Sequence, residues 1–339
     1  MLYNDVIKIP CKIINTYPEE KIRDMIETII DHYYDVGFPY YEIDEKKIFS
    51  DVNRLKSLDV DSLLLPDNVI QQSMVGLRTV NAFHPEMWSV KCNNARTPME
   101  VFNDRELFYV AIRKRIKYSD TKLADYNIRK SLKIFGAQSV SNFRPSVAKF
   151  IYKKYTVAGN SVLDPCMGYG GRLLGALCTE GLEYSGVDPN TVTIENNGKM
   201  ARKLRGVSYS NPVVTYNMPF EDFDTTQKYD LVFTSPPYFN IEKYSTEHTQ
   251  SYIKFPDFDS WEEGFLRVLI EHSYDFLNTG GHLVLNVGRL ITDSTFDIGT
   301  EVFGKKPETY NMRLSKVMGK GNKDKISHKL EPIFAWRKQ

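Results

Sequence analysis

Ser161-Val162-Leu163-Asp164-Pro165-Cys166-Met167-Gly168-Tyr169-Gly170-Gly171-Arg172 is the stretch on which the fold turns. Ser161-Val162-Leu163 reads as a short strand, and Arg172 to Cys178 reads as a helix. Between them, Gly168 and Gly170 permit tight backbone turns and let a ligand approach the main chain closely. A strand running through a glycine-rich turn into a helix is a place where ligands are held. Asp164 and Cys166 belong to that turn, and Asp164 has the chemistry to accept hydrogen bonds from a cationic amine. A glycine-rich turn is also compatible with being only a turn, so the flanking elements carry the decision.

Downstream, short apolar runs alternate with helical stretches. Tyr184-Ser185-Gly186-Val187 is a second strand, followed by a helix over Thr191 to Leu204. Val213-Val214-Thr215-Tyr216 and Leu231-Val232-Phe233 are the third and fourth strands. Ser260-Trp261-Glu262-Glu263 has the form of a helix cap, with a helix running to Phe276. Asn278-Thr279-Gly280-Gly281 turns into a fifth strand, His282 to Val287, and Tyr310–Val317 with Ile333–Arg337 form a closing hairpin. Alternation of this kind predicts an α/β fold: a Rossmann-like, seven-stranded, mostly parallel sheet with helices on both faces. Ligands of such sheets sit at the carboxyl ends of the strands.

The first 135 residues read differently, as a mainly helical region without a chemical motif. Thr16-Tyr17-Pro18-Glu19 has the form of a capping box, and Ile22, Met25, Ile26, Ile29, Ile30 and Tyr33 follow at helical spacing until Gly37 and Pro39. Leu63 to Val75 reads as a helix broken at Pro66. Thr97-Pro98-Met99-Glu100 is a second capping box, and Tyr126 to Phe135 a further helix closed by Gly136. The expected division is therefore 1–135 and 136–339.

Two acidic positions extend the ligand reading. Asp188 follows the second strand, 24 residues after Asp164. An acid there binds the hydroxyls of a nucleoside ribose, or it caps the helix that follows. Glu221 and Asp222, after the third strand, meet an adenine edge or are surface acids. The absence of a Gly-x-Gly-x-x-Gly run argues against a dinucleotide.

The fourth strand ends in Thr234-Ser235-Pro236-Pro237-Tyr238. Two consecutive prolines cannot continue a ladder, and they hold Ser235 and Tyr238 in a set geometry. Here the chain resembles the class I S-adenosylmethionine-dependent methyltransferases of the DNA amino type. In that family an Asp-Pro-Phe-x-Gly-x-Gly-like motif precedes a (Ser/Asn/Asp)-Pro-Pro-(Tyr/Phe/Trp) motif, as Asp164–Gly170 precedes Ser235–Tyr238 here. Phe143-Arg144-Pro145-Ser146-Val147-Ala148 resembles the family's segment that helps bind the methionine part of the donor. The resemblance covers residues 136–339. It implies S-adenosyl-L-methionine as cofactor, with Arg144, Pro145, Asp164, Cys166, Gly168, Gly170, Asp188, Glu221 and Asp222 around it. It also implies Ser235, Pro236, Pro237 and Tyr238 as the catalytic set.

The chemistry suits those residue types. An exocyclic base amine is a poor nucleophile because its lone pair is delocalised into the ring. Ser235 and the Pro236 carbonyl can accept its two protons in hydrogen bonds, drawing nitrogen toward a tetrahedral shape, while Tyr238 offers a face for stacking. Holding amine and methyl sulfonium in line supplies much of the rate. In a duplex the base must be flipped out, at a cost of a few kcal/mol. Ser-Pro-Pro-Tyr members tend to methylate cytosine N4 and Asp-Pro-Pro-Tyr members adenine N6. The resemblance thus favours cytosine N4 of DNA, with adenine N6, an RNA base amine, or a catalytically silent nucleic-acid-binding module as alternatives. A companion restriction endonuclease is a partner of the kind such enzymes have. Pro165-Cys166 looks like the Pro-Cys pair of cytosine-C5 enzymes but follows the first strand rather than the fourth, so Cys166 reads as donor-pocket packing.

Composition sets the outer bounds. The 339 residues carry a formal charge of +1, and no apolar run approaches membrane-spanning length. The four cysteines lack Cys-x-x-Cys spacing, which argues against a disulfide framework or zinc knuckle. The N-terminus lacks a basic region followed by an apolar one, so the expectation is a cytoplasmic protein; the resemblance implies a bacterial or phage-encoded one. Charge is unevenly spread: residues 105–134 hold 9 basic and 3 acidic side chains, and residues 305–338 hold 10 and 3. Arg113 and Arg115 in the first segment, and Lys320, Lys323, Lys325 and Lys329 in the second, are candidates for gripping phosphates.

Overall fold

The alternation that begins at residue 161 is realised as a nine-stranded sheet. The computed structural model describes residues 2–318 and 326–339. Its strands, in chain order, are β1 (Leu64–Leu65), β2 (Val69–Gln71), β3 (Lys91–Cys92), β4 (Ser161–Asp164), β5 (Glu183–Asp188) and β6 (Val213–Asn217). They continue with β7 (Tyr229–Thr234), β8 (Glu242–Lys243), β9 (Leu277–Asn286), β10 (Glu308–Met318) and β11 (Ile326–Arg337). The large sheet runs β1-β2-β10-β11-β9-β7-β4-β5-β6. Its central ladders, β6-β5-β4-β7-β9, are parallel throughout, and the β10–β11 hairpin closes it antiparallel to β9. This is a Rossmann-like, mostly parallel sheet of the seven strands expected, with two additional edge strands.

Those two strands correct the helix expected over Leu63 to Val75. Pro66 breaks the helix, and Asp67 and Asn68 turn the chain in the left-handed region at φ 61° and 55°. Val69, Ile70 and Gln71 then pair in parallel with Asn311, Met312 and Arg313. The β10 edge thereby gains partners for backbone groups that would otherwise stand unpaired.

The chain packs as two compact units. The first comprises 1–42, 85–141 and 242–244; the second comprises 43–84, 142–241 and 245–339. In the first, the helix Glu19–Val36 buries Ile22, Met25, Ile26, Ile29, Ile30 and Tyr33, one stripe at the spacing read from the sequence. Thr16 does not cap it. Its hydroxyl donates to the Ile13 carbonyl at 2.7 Å, a local bond that competes with capping. The second box does form: Thr97 Oγ1 accepts from the Glu100 N–H at 3.1 Å, and Glu100 Oε2 accepts from the Thr97 N–H at 2.7 Å. Helices Arg105–Tyr118 and Asp125–Phe135 complete this unit, with β3 and β8 as a two-residue ladder.

In the second unit, alternate residues of each strand serve opposite faces of the sheet. Leu163, Val232, Leu283 and Leu285 join Trp261, Phe265, Leu269 and Ile298 in one buried cluster. Phe233 faces the other way, 5.6 Å from the rings of Phe143 and Tyr152. The helical run ending at Phe276 is capped three residues earlier than expected. Asp257, not Ser260, caps it, accepting from the Ser260 N–H at 2.9 Å. Within it, Glu262–Arg267 forms a wider, π-type turn. Among the described residues no helix is long and apolar enough to cross a membrane.

Candidate active site

β4 delivers Asp164 fully buried to the start of the glycine turn. Its carboxylate already accepts three hydrogen bonds from the protein itself. Oδ2 accepts from Arg172 Nε at 2.8 Å and from the Tyr184 hydroxyl at 2.7 Å, and Oδ1 accepts from the Thr234 hydroxyl at 2.8 Å. Within the protein, the cation beside it is Arg172. Burial works against the guanidinium charge, and Asp164 with Tyr184 and Tyr152 more than offsets it, so Arg172 stays charged. Arg172 also donates to the Cys166 carbonyl. Arg172, Tyr184 and Thr234, which build this node, carry no motif of their own in the sequence. Each is a polar side chain on an element adjoining the glycine turn, and that placement was the only signal.

Asp188, at the end of β5, is tied to the same turn. Its Oδ2 accepts from the Gly168 N–H at 2.8 Å and its Oδ1 from the Asn190 N–H at 2.9 Å. Asp188 is not the helix cap; Asn190 is, accepting from the Thr193 N–H at 3.4 Å. Burial pushes the Asp188 carboxyl up to about 6, against the lowering effect of those two N–H groups. Asn197 completes the turn, donating to the Gly168 carbonyl at 2.7 Å and meeting His84 Nε2 at 3.1 Å. Gly170 has φ +76°, and a Cβ there would lie 2.3 Å from Asn197 Oδ1. Glycine is thus required twice over, by conformation and by space. At Gly168 a Cβ would meet only the Cys166 carbonyl, at 3.9 Å, so the ground above that residue is open.

The segment Phe143-Arg144-Pro145 runs against this turn: a Cβ on Gly171 would lie 2.1 Å from the Phe143 carbonyl oxygen. Arg144 Nε donates to Gln72 Oε1 at 3.0 Å, and Pro145 is buried at the first position of helix Pro145–Tyr155. Glu221 and Asp222 are both held by Lys254, at 2.8 and 3.0 Å, with the Glu221 side chain largely buried and Asp222 turned to solvent. Cys166 donates its N–H to Thr234 Oγ1 at 3.1 Å. Burial, then the carboxylates of Asp188 and Asp164, push its thiol well above the usual range, which disfavours a thiolate.

The Ser235–Tyr238 loop begins one residue after Thr234, the side chain that bonds Asp164. Ser235 Oγ lies 3.3 Å from the Tyr238 hydroxyl and donates to Asn286 Oδ1 at 3.4 Å. Asn286 is the buried last residue of β9, and its Nδ2 donates to the Pro332 carbonyl at 3.2 Å. The Tyr238 ring rests on Gly288, just beyond the same strand. Phe239 takes φ +59°, uncommon for a side chain of its bulk. Its ring packs on Phe258 and Trp261 at 5.7 and 5.9 Å. Asn286, Gly288 and Phe239 were not picked from the sequence, although Asn286 is the one polar residue that ends β9.

Among the residues expected to grip phosphates, Arg115 is buried and bonds Thr121 and Asn127. Arg113 is clamped by Glu19 through two bonds of 2.9 and 2.8 Å. Both serve the packing of their own unit. Lys329 is exposed on β11; Lys320, Lys323 and Lys325 lie outside the described residues.

The sequence matches no protein-family profile and no curated protein. Solved structures do resemble the fold. A methyltransferase from Pyrococcus furiosus is 15% identical, with a TM-score of 0.40 over 57% of this chain and 82% of its own. A 16S rRNA methyltransferase from T. thermophilus, solved with AdoMet and guanosine, is 14% identical, with a TM-score of 0.38 over 59% and 44%. Magnesium protoporphyrin IX methyltransferase from Synechocystis, with bound SAM, is 14% identical, with a TM-score of 0.36 over 57% and 77%. At this level of likeness, what the site does has to be read from its own residues.

Proposed function

We propose that this protein is an S-adenosylmethionine-dependent methyltransferase that modifies an exocyclic amine of a nucleic-acid base, with cytosine N4 of DNA as the favoured target. One observation carries the reading: Thr234 links the glycine turn to Ser235-Pro236-Pro237-Tyr238, so a donor cradle and an amine-accepting loop share one buried hydrogen-bond node.

The residues fit the donor. Asp188 keeps lone pairs beyond the two it gives to backbone N–H groups, which suits ribose hydroxyls. Gly168 leaves open ground beside it. When bound, S-adenosylmethionine supplies an electrophilic methyl group on a sulfonium. The chain's own work lies on the acceptor side. Ser235 Oγ and the Pro236 carbonyl accept the amine's N–H bonds and concentrate its lone pair on nitrogen, while Pro237 stiffens the turn and Tyr238 supplies an aromatic face for the base. A new N–C bond forms as the S–C bond breaks, and the amine proton leaves to solvent. A thiolate mechanism at cytosine C5 is not the reading, because the Cys166 thiol is held protonated. In this reading the helical unit serves target recognition.

Incubation with labelled donor and either DNA or RNA, followed by mass spectrometry of the nucleosides, tests the proposal. N4-methylcytosine in DNA is expected. N6-methyladenine would move the target base and keep the amine chemistry. Label confined to RNA would overturn the DNA assignment, and label at cytosine C5 would overturn the mechanism.

A further inference from the structure

Phosphates bind to cations that the protein's own carboxylates have not already taken. Arg113 fails that condition and Arg115 is buried. A group that meets it lies on the sheet-bearing unit, outside every motif. Lys46, Lys47, Ser50 and Arg54 of helix Glu45–Ser57, with Arg78 of helix Leu77–Phe83, line an open depression of about 300 Å³ over Asp51. Asp51 is spent: Oδ1 accepts from the Gly76 N–H at 2.9 Å, and Oδ2 from the Thr79 N–H at 3.2 Å and hydroxyl at 2.9 Å. Lys47 pairs with Asp44 at 3.0 Å. Lys46, Arg54 and Arg78 have no side-chain partner among the described residues, and the Nε of Arg78 is buried without one. The N-terminus of that helix is already capped by Asp44, which accepts from the Lys47 N–H at 3.1 Å, so the free charge of the depression comes from Lys46, Arg54 and Arg78.

We infer that this depression is a phosphate site, and that its occupant is the sugar-phosphate backbone of the nucleic acid methylated at the acceptor loop; the inference rests on the proposed function. The shape argues for a polymer. Lys46 and Arg54 are eight residues apart on one helix, about 12 Å of axis, which suits successive phosphates better than one enclosed ion.

The test measures binding of a fluorescent DNA duplex, and of the matching RNA, by the full-length protein across a salt series. The variants are Lys46→Gln/Arg54→Gln and Arg78→Gln, with donor affinity from calorimetry as the check on folding. For the double variant the expected result is a loss of affinity of about tenfold or more, with the slope of log K against log salt reduced by about 2. Arg78→Gln should reduce the slope by about 1, and donor affinity should be unchanged in all. Wild-type affinity and slope in both variants would overturn the site while leaving the methyltransferase reading intact. A wild type that binds neither DNA nor RNA would overturn the polynucleotide assignment and the substrate reading together. In that case a thermal shift with inorganic phosphate, present in wild type and absent in Arg78→Gln, would mark a small-phosphate site, and its absence would remove the site altogether.

Discussion

Tyr238 rests on the bare backbone of Gly288: a Cβ at position 288 would lie 2.5 Å from two of its ring carbons. The backbone there is ordinary, with φ −78°, so only the tyrosine ring excludes a side chain. Gly288→Ala should therefore fold, at a cost of about 1–3 kcal/mol for overpacking, and should push Tyr238 out of place. Turnover is expected to fall on the order of 100-fold, the scale of a displacement of about 1 Å in a reacting site, with donor affinity unchanged. Steady-state kinetics beside calorimetry reads both. Wild-type turnover would mean that Tyr238 does not position the base.

Ser235 has a single hydroxyl proton, and to accept from an amine it must send that proton elsewhere. Asn286 Oδ1 takes it, and Asn286 is held in that orientation by its donation to the Pro332 carbonyl. Ser235→Ala and Asn286→Ala should each lower turnover by roughly tenfold to a hundredfold, the worth of about 1–3 kcal/mol for a buried bond. The double variant should be no worse than Ser235→Ala. Additive losses would show that Asn286 acts independently of the serine.

In the proposed donor site, Asp188 should make donor binding depend on pH. Its carboxyl titrates near 6 in the fold, against 3.8 when unperturbed. The raised value means that its contribution to stability is present below pH 3.8 and is lost as pH rises through 6. Ribose hydroxyls favour the ionised form, so donor affinity should weaken as pH falls through 6. Asp188→Asn removes the titrating group and turns an NH2 toward one of the two N–H donors at Gly168 and Asn190, so it should weaken donor binding and flatten its pH dependence, with no gain in melting temperature expected. Calorimetric titrations between pH 5 and 8 would decide; an unchanged profile in the variant would remove Asp188 from the donor site.

The central sheet was legible because the buried cores of its strands, Val162-Leu163, Leu231-Val232-Phe233 and Leu283-Val284-Leu285, read as short apolar runs between helical stretches. The edge was not. Leu63 to Val75 has the local composition of a broken helix, and only pairing with β10, some 240 residues away, makes Val69–Gln71 a strand. The two glycines and Asp188 could be picked out because backbone conformation and strand ends leave marks in a sequence. The hydrogen bonding of Asp164 left none, since its partners Arg172, Tyr184 and Thr234 come from three separate elements. The same limit applies to Arg115, whose charge counted toward a basic segment while its side chain is buried against Asn127 and Thr121.

Cys166 tests the exclusion of thiolate chemistry. Its thiol is pushed up by burial and by the carboxylates of Asp188 and Asp164, so it should react slowly with iodoacetamide at pH 7.5. Cys166→Ala should keep turnover within a few-fold, losing only packing. A loss of more than about 1000-fold with donor affinity intact would make the cysteine a nucleophile and sink the amine reading.

Asp164 separates a ligand contact from a structural one. It pairs with a buried guanidinium, 2.8 Å from Arg172 Nε, with both side chains almost wholly enclosed. Asp164→Asn would leave Arg172 charged and unpaired, a loss of about 3–5 kcal/mol. The expected result is a clear fall in melting temperature, with donor binding weakened as a consequence of that loosening. Removing the stranded charge as well, in Asp164→Asn/Arg172→Met, should recover part of the stability, because an apolar side chain needs no counterion. A single variant that melts like wild type yet binds no donor would instead return Asp164 to the role of donor ligand, accepting from the donor's amine.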